Sequence, residues 1–338
     1  MRTAVLIPCY NEAKSIKTVV EDFREHLPDA DIYVYDNNST DGTDDIARRA
    51  GAIVRYEKRQ GKGNVIRTMF REIEADCYIM ADGDNTYPAS FAPQLMRYVE
   101  KGEADMVIGD RLSSSYFREN KRRFHGFGNR LVRSLVNHIF KARINDIMTG
   151  ARAFSRDFVK SFAVSSKGFE IETEMTIFAL ENNFKILEIP IEYKDRDADN
   201  PSKLSTYSDG FKVIKTIFRL MRDDKPGVFF GTIGFLTIVV GLALFIPILV
   251  EYFNTGEVPK YPTLIVITAF WAIGTISIFS GVILSLVNTR AKQEFERYMN
   301  LLYICDDRET GGRESEDKDR KKKETDSRQK GVWLGWNE

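Results

Sequence analysis

Cys77-Tyr78-Ile79-Met80-Ala81-Asp82-Gly83-Asp84 reads as a short apolar strand that runs straight into two carboxylates one residue apart. By itself an Asp-Gly-Asp is an ordinary turn. At the end of a strand it can instead share a divalent cation with a ligand's phosphates, since magnesium and manganese prefer oxygen ligands and keep phosphate and water in their shell. The surrounding sequence decides between the two readings.

Working outward, the first two hundred residues alternate β-branched runs with helical patterns. Strands are expected at 4–7, 32–35, 52–56, 77–81 and 105–109, separated by amphipathic stretches such as Val65, Ile66, Met69, Phe70 and Ile73. Such alternation predicts an α/β fold with a mostly parallel sheet, whose ligands bind beyond the C-terminal ends of the strands. The polar clusters Pro8–Glu12, Asp36–Gly42, Asp82–Asp84 and Gly109–Arg111 fall at those ends. Asp36 is placed to accept a hydrogen bond from a base N–H or a ribose hydroxyl, while Thr40 or Asp41 caps the next helix. Gly61-Lys62-Gly63 lacks Walker spacing and its Ser/Thr, which argues against ATP hydrolysis. It reads equally as a plain helix start or as a turn bringing Lys62 near a nucleotide.

Several classes are excluded. Basic and acidic residues number 49 each, so the formal net charge is zero and nucleic acid is not an expected partner. Cys9, Cys77 and Cys305 form neither a disulfide framework nor a zinc cage, which suits a reduced, cytosol-facing domain. His26, His125 and His138 have no metal spacing, and no hydrolase triad motif is present. No secretory signal is expected at the start, because the apolar run 3–7 is short and interrupted by Pro8 and Asn11.

The C-terminal third has another character. Residues 227–250 and 261–288 carry no charge, and each exceeds the ~20 residues that cross a bilayer core. Arg219, Arg222 and Lys225 precede the first stretch, and Arg290, Lys292 and Arg297 follow the second; the link 251–260 has two acids and one base. The positive-inside rule then predicts a multi-pass protein of the cell membrane with catalytic domain and both termini cytoplasmic. Residues 118–143, with eight bases and one acid, and 211–222 read as basic amphipathic helices. The second is expected to lie in the membrane interface; the first fits that role or ordinary packing. The tail from 306 to 330 is dominated by charge of both signs and is expected to be disordered. The expected domains are 1–205, a juxtamembrane helix 206–226, a two-helix membrane domain 227–290, and a charged tail 291–338. Gly227-x-x-x-Gly231 suits close helix packing and hence a homo-oligomer.

Taken together and in order, Ile7-Pro8-Cys9-Tyr10-Asn11-Glu12, the Asp36–Thr43 loop, Gly61-Lys62-Gly63, Asp82-Gly83-Asp84, Gly109-Asp110-Arg111, Thr149-Gly150-Ala151-Arg152 and Ser202-Lys203-Leu204 resemble the family 2 glycosyltransferases. The likeness is to the dolichol- and undecaprenyl-phosphate sugar transferases with a two-helix membrane tail. It implies a GT-A type fold and an inverting transfer from a UDP-sugar, glucose or N-acetylglucosamine, to polyprenyl phosphate. It also implies Mg2+ or Mn2+ as cofactor, with Asp82 and Asp84 as its ligands. Pro8, Tyr10, Asn11, Glu12, Asp36, Lys62, Asp82 and Gly83 would bind the nucleotide sugar. Asp84, Arg111, Arg196 and Lys203 would carry catalysis, and Lys121, His125 and Arg130 would meet the acceptor phosphate. Where relatives carry Leu-Gln after the second aspartate, this chain has Asn85-Thr86, so no third protein ligand is implied. Two rival readings stand beside it: a processive polysaccharide synthase, for which Glu170, Glu172 and Glu174 are candidate bases, and an inactive membrane scaffold. The synthase motif Gln-x-x-Arg-Trp is missing from the sequence.

Overall fold

Val5, Ile7 and Cys9 alternate with Leu6 and Pro8 along the first strand, and that period of two sorts the core into layers on either face of one sheet. The computed structural model describes residues 1–113, 125–168, 170–194, 218, 221–223, 225–258 and 260–332, with side chains described except at 125–131 and 302–332. The chain divides into two compact units, Met1–Leu220 and Met221–Glu338.

The first unit runs β1 (Thr3–Cys9), α1 (Ile16–His26), β2 (Asp31–Asp36), α2 (Thr43–Arg49), β3 (Ile53–Tyr56), α3 (Lys62–Glu72), β4 (Cys77–Met80), α4 (Ala92–Glu100), β5 (Met106–Asp110), α5 (His125–Phe140), β6 (Arg152–Ser155), α6 (Arg156–Ser161), α7 (Ile171–Glu181) and β7 (Ile186–Pro190). The sheet order is β3-β2-β1-β4-β6-β5-β7, parallel throughout except for β6. The five expected strands are present within a residue or two of their expected limits.

One face buries Val5, Ile7, Ile32, Val34, Cys77, Ile79, Val107 and Ala153 beneath α1 and α4. In α1, Ile16, Val19, Val20 and Phe23 recur at helical spacing and are the buried stripe. On the other face, Phe154 stacks on Phe158 at 5.0 Å, and Phe70, Phe162, Phe178 and Phe184 close the cluster. Truncating the fully buried Phe158 would cost about 3–5 kcal/mol through lost transfer energy and a cavity.

Two strands were not anticipated. β6 has four residues and opens with a charged side chain, so no apolar run betrays it. Running antiparallel, it sets Arg152 opposite Met80 on β4 and Ile108 on β5. The loop before β6 therefore lies at the same sheet edge as the loops after β4 and β5. β1 sits where the strand order reverses, between β2 and β4, and such a switch point opens a crevice at the C-terminal edge.

The second unit holds two helices long and apolar enough to cross a membrane, α8 (Pro226–Thr255) and α9 (Tyr261–Val332). Their apolar side chains mostly face outward: Phe235 is 64 % exposed and Ile265 70 %. A soluble protein would bury such residues. The pair packs through glycines seven apart, with a Cβ at Gly234 falling 2.6 Å from the Gly274 carbonyl oxygen. Gly227 faces Ser285 inside this hairpin, whereas nothing lies within 4 Å of a Cβ at Gly231. Within the hairpin the helix contact thus runs through Gly227 and Gly234 at seven-residue spacing, and Gly231 takes no part in it. Backbone helix continues through 306–330, where composition predicts disorder.

Candidate active site

The loops after β1 and β2 knit together before they present anything to a ligand. Asn37 N–H donates to the Cys9 carbonyl at 2.9 Å, Thr40 N–H to Asn11 Oδ1 at 2.8 Å, and Ala13 N–H to Asp41 at 3.0 Å. Asn11, Asn38 and Asn85 all take left-handed backbone with φ of 52°, 63° and 59°. Asparagine tolerates that region, and off-region residues cluster at functional sites. Asp36 is 4 % exposed: its Oδ2 accepts Ser39 N–H at 3.0 Å, while Oδ1 is buried with no hydrogen-bond partner among the described residues. Leaving a buried acceptor unsatisfied costs roughly 1–3 kcal/mol. A donor from outside the chain would remove that cost.

Glu12 lies beside this loop, its N–H donating to Thr43 Oγ1 at 2.8 Å. Ser15 Oγ donates to the Gly83 carbonyl at 2.7 Å, tying the start of α1 to the acidic turn. Gly83 is required there, since a Cβ would sit 2.7 Å from Cys9 Sγ. Asp84 is 7 % exposed, and its Oδ1 accepts both Thr86 N–H at 3.1 Å and Thr86 Oγ1 at 2.7 Å. Thr86 thus orients the carboxylate from the side. Pro8 is half-buried and Tyr10 is 41 % exposed at the mouth of the crevice.

Lys62 reaches the acidic turn from the start of α3. Its ammonium donates to Asp82 Oδ1 and to Glu172 Oε1, both at 2.5 Å, across 20 and 110 residues of chain. Burial works against the charged ammonium, but the two carboxylates prevail and hold its pKa above the ordinary lysine range. Burial raises Glu172 in turn, with Lys62 opposing. The flanking glycines answer to another neighbour. A Cβ at Gly61 would lie 2.1 Å from the Lys167 carbonyl oxygen, and at Gly63 2.3 Å from that of Ser166. The Gly-Lys-Gly turn therefore admits the backbone of 166–167. Glu174 fixes the same segment, accepting Ser165 N–H at 2.7 Å and Ser166 N–H at 2.8 Å.

Arg111 forms the other half of the site. Its Nε donates to Asp146 Oδ2 at 2.9 Å, and its terminal nitrogens reach Tyr87 Oη at 3.3 Å and the Met148 carbonyl at 3.4 Å. Tyr87 Oη also lies 3.4 Å from Gly150 N. Burial pushes the Tyr87 phenol up to about 12, so it stays protonated. Gly150 abuts Asp82, which links the two halves. Arg152, fully buried, holds the intervening loop through the carbonyls of Thr149 at 3.1 Å and Ile147 at 2.5 Å. Burial lowers its pKa to about 10.

The structure thus brings Glu12, Asp36, Lys62, Asp82, Gly83, Asp84 and Arg111 to one sheet edge. Arg196, Lys203 and Lys121 lie outside the described residues, as do the side chains of His125 and Arg130 on α5. Sequence reading missed Asp146 and Tyr87. The one local signal was an acid standing just before the apolar pair Ile147-Met148. Asp82 and Asp84 offer carboxylate oxygens, with Asp82 Oδ1 engaged by the Lys62 ammonium, and no group of three metal-binding side chains occurs among the described residues. That set fits a magnesium-like cation whose shell is completed by phosphate and water, and does not fit a closed protein cage.

Residues 4–162 match the family model "Glycosyl transferase family 2". The glycosyltransferase AglJ of Haloferax volcanii is 33 % identical over 73 % of this chain and 81 % of its own length. The dolichyl-phosphate hexose transferase of the same organism is 26 % identical over 66 % of this chain and 95 % of its own. Among solved structures, the glucosyl-3-phosphoglycerate synthase of Mycobacterium tuberculosis in complex with Mn2+ and UDP-glucose matches the fold with a TM-score of 0.51. It is 20 % identical and covers 65 % of this chain and 78 % of its own.

Proposed function

The chain belongs to glycosyltransferase family 2, and from that premise we propose that it moves glucose or N-acetylglucosamine from a UDP-sugar to polyprenyl phosphate, with inversion at the anomeric carbon. One observation carries the acceptor assignment: a nucleotide-sugar fold shares its chain with two outward-facing apolar helices of membrane length. The kinship with a dolichyl-phosphate hexose transferase supports the same choice, and the UDP-glucose held by the mycobacterial relative supports the donor.

The chemistry is economical. A phosphate monoester, with a second pKa near ~6, is mostly ionised at neutral pH and needs no side-chain base. That agrees with the carboxylates on α7, since Glu172 is engaged by Lys62 and Glu174 by two backbone N–H groups. Asp36 and Glu12 would take the base and ribose, with Pro8, Tyr10 and Asn11 shaping the crevice. Asp82 and Asp84 would hold Mg2+ or Mn2+, which when bound supplies positive charge against the departing diphosphate. Arg111 would receive a phosphate, Arg196 and Lys203 would close over the diphosphate, and Lys121, His125 and Arg130 would meet the acceptor. Catalysis then rests on positioning and electrostatics. We place the catalytic unit and both termini on the cytoplasmic side.

The test is direct. Full-length protein in lipid nanodiscs, given undecaprenyl phosphate, Mg2+ or Mn2+ and labelled UDP-sugars, forms a single-sugar glycolipid. Asp84→Ala lowers turnover at least ~100-fold while the circular dichroism is unchanged. A growing polymer would favour the synthase, and no transfer from any donor would leave the scaffold.

A further inference from the structure

Three elements meet at one ammonium. Lys62 opens α3, Asp82 follows β4, and Glu172 stands in the first turn of α7. Their side chains are graded from the crevice inward: Asp82 is 28 % exposed, Lys62 9 % and Glu172 5 %. Asp82 thus faces the crevice, and Glu172 grips the lysine from behind. The backbone that carries Lys62 is held as well. Gly63 N–H donates to the Lys167 carbonyl at 3.2 Å, and the Arg67 guanidinium donates twice to the Val164 carbonyl, at 2.8 and 3.1 Å. Glu174 on α7 fixes the same segment through the Ser165 and Ser166 N–H groups. Segment 164–167 therefore bolts α3 to α7, and the root of the lysine keeps a fixed spacing from the carboxylate behind it.

Stability alone does not call for buried charges. Replacing a buried ion pair with uncharged side chains of similar volume is often neutral or stabilising. What the pair adds here is direction. Lysine is a point charge on a flexible four-carbon stem. A charge-assisted bond from a carboxylate seated on a helix pins the end of that stem. Asp82 Oδ1 then rests on the pinned ammonium at 2.5 Å. The opposite oxygen, Oδ2, is bounded by Gly150, where a Cβ would lie 2.5 Å away.

We propose that Glu172 is a positioning residue that holds the Lys62 ammonium and, through it, sets the Asp82 carboxylate for the donor's nucleoside diphosphate. The proposal rests on the reading of Asp82 as part of the donor site. Glu172 acts only through the lysine.

Two substitutions and their combination test this role. Glu172→Gln keeps the volume and removes the charge, and Lys62→Met does the same at the lysine. The readout is calorimetric binding of UDP, with Mn2+ present, to the full-length protein. Glu172→Gln is expected to weaken binding roughly fivefold, since an uncharged amide holds the ammonium less firmly. On a Lys62→Met background the same substitution adds less than about twofold, because the lysine it acts through is gone. The double variant, with both charges removed, is expected to melt within about 3 °C of wild type. It is nevertheless expected to bind UDP roughly tenfold more weakly. A double variant that binds UDP as wild type does would overturn the proposal, since Glu172 would then serve only to neutralise a buried lysine. Unchanged affinity in Glu172→Gln, or full additivity of the two substitutions, would overturn it as well. A wild type that binds UDP but glycosylates no lipid phosphate would sink the acceptor assignment alone, because nucleotide binding is measured apart from it. A wild type that binds no UDP would overturn the donor reading and this proposal together.

Discussion

Gly150 leaves the space that the Asp82 carboxylate occupies: a Cβ at position 150 would lie 2.5 Å from Asp82 Oδ2. The glycine belongs to the loop before β6, and the aspartate follows β4. Only the antiparallel insertion of β6 makes them neighbours.

Gly150→Ala should therefore displace Asp82 from its ion pair with Lys62 and disturb the acidic turn. We expect turnover to fall at least ~10-fold, because small misplacements at a reacting centre are costly. Thermal melting should move little, since the flexible carboxylate can yield. Steady-state kinetics beside a melting curve check both parts, and undiminished turnover would mean that Asp82 has no bearing on the reaction.

Asp36 supplies a second test through its unpartnered Oδ1. Asp36→Ala should raise the KM for the UDP-sugar roughly tenfold, the scale of one lost charged hydrogen bond. The KM for the lipid acceptor should stay within about twofold. Titration of UDP by calorimetry offers an independent reading, and unchanged UDP affinity would remove Asp36 from the donor site.

Acid stability follows from Glu57. Its hydrogen bond from the Arg59 guanidinium lowers its pKa from 4.5 to about 2, with Thr68 donating as well. A carboxylate with a depressed folded pKa contributes stability that is present above the unfolded value and lost as pH falls through the folded one. The contribution from Glu57 should thus decline between pH 4.5 and about 2. Glu57→Gln should melt lower at pH 7 and show a shallower loss across that window. Parallel melting curves for the two proteins at all pH values would contradict this.

The apolar hairpin offers a paired comparison. Gly234→Val should loosen the contact of α8 with α9, because a Cβ there meets the Gly274 carbonyl at 2.6 Å. Gly231→Val should be tolerated, since nothing lies within 4 Å. Cysteine cross-linking between the two helices would distinguish them, and equal effects would discount the glycine packing.

Much of this architecture was legible locally. Residues 77–81 and 32–35 announce strands because continuous apolar runs ending in polar clusters leave little else to form, and β4 and β2 stand there. The acidic turn, Asp36 and Arg111 could be singled out because all three close such runs. The arginine and lysine partners could not. Lys62 reads equally as part of a helix start or as a residue near a nucleotide; its flanking glycines make room for the 166–167 backbone, and its ammonium pairs with Asp82 and Glu172, partners that no local spacing announces.

The one-dimensional pattern of apolar and polar residues determined that a parallel α/β sheet would form, that its C-terminal edge would carry the acids, and that two long apolar helices would follow. Periodicity encodes burial, and burial selects the element and its inward face. Tertiary structure alone decided that β6 would enter backwards between β4 and β5, bringing Gly150 to Asp82. It also decided that Asp146 would meet Arg111 across 35 residues and Glu172 would meet Lys62 across 110. Such pairings depend on which buried charges can be neutralised once the sheet has closed, and no local spacing records that balance.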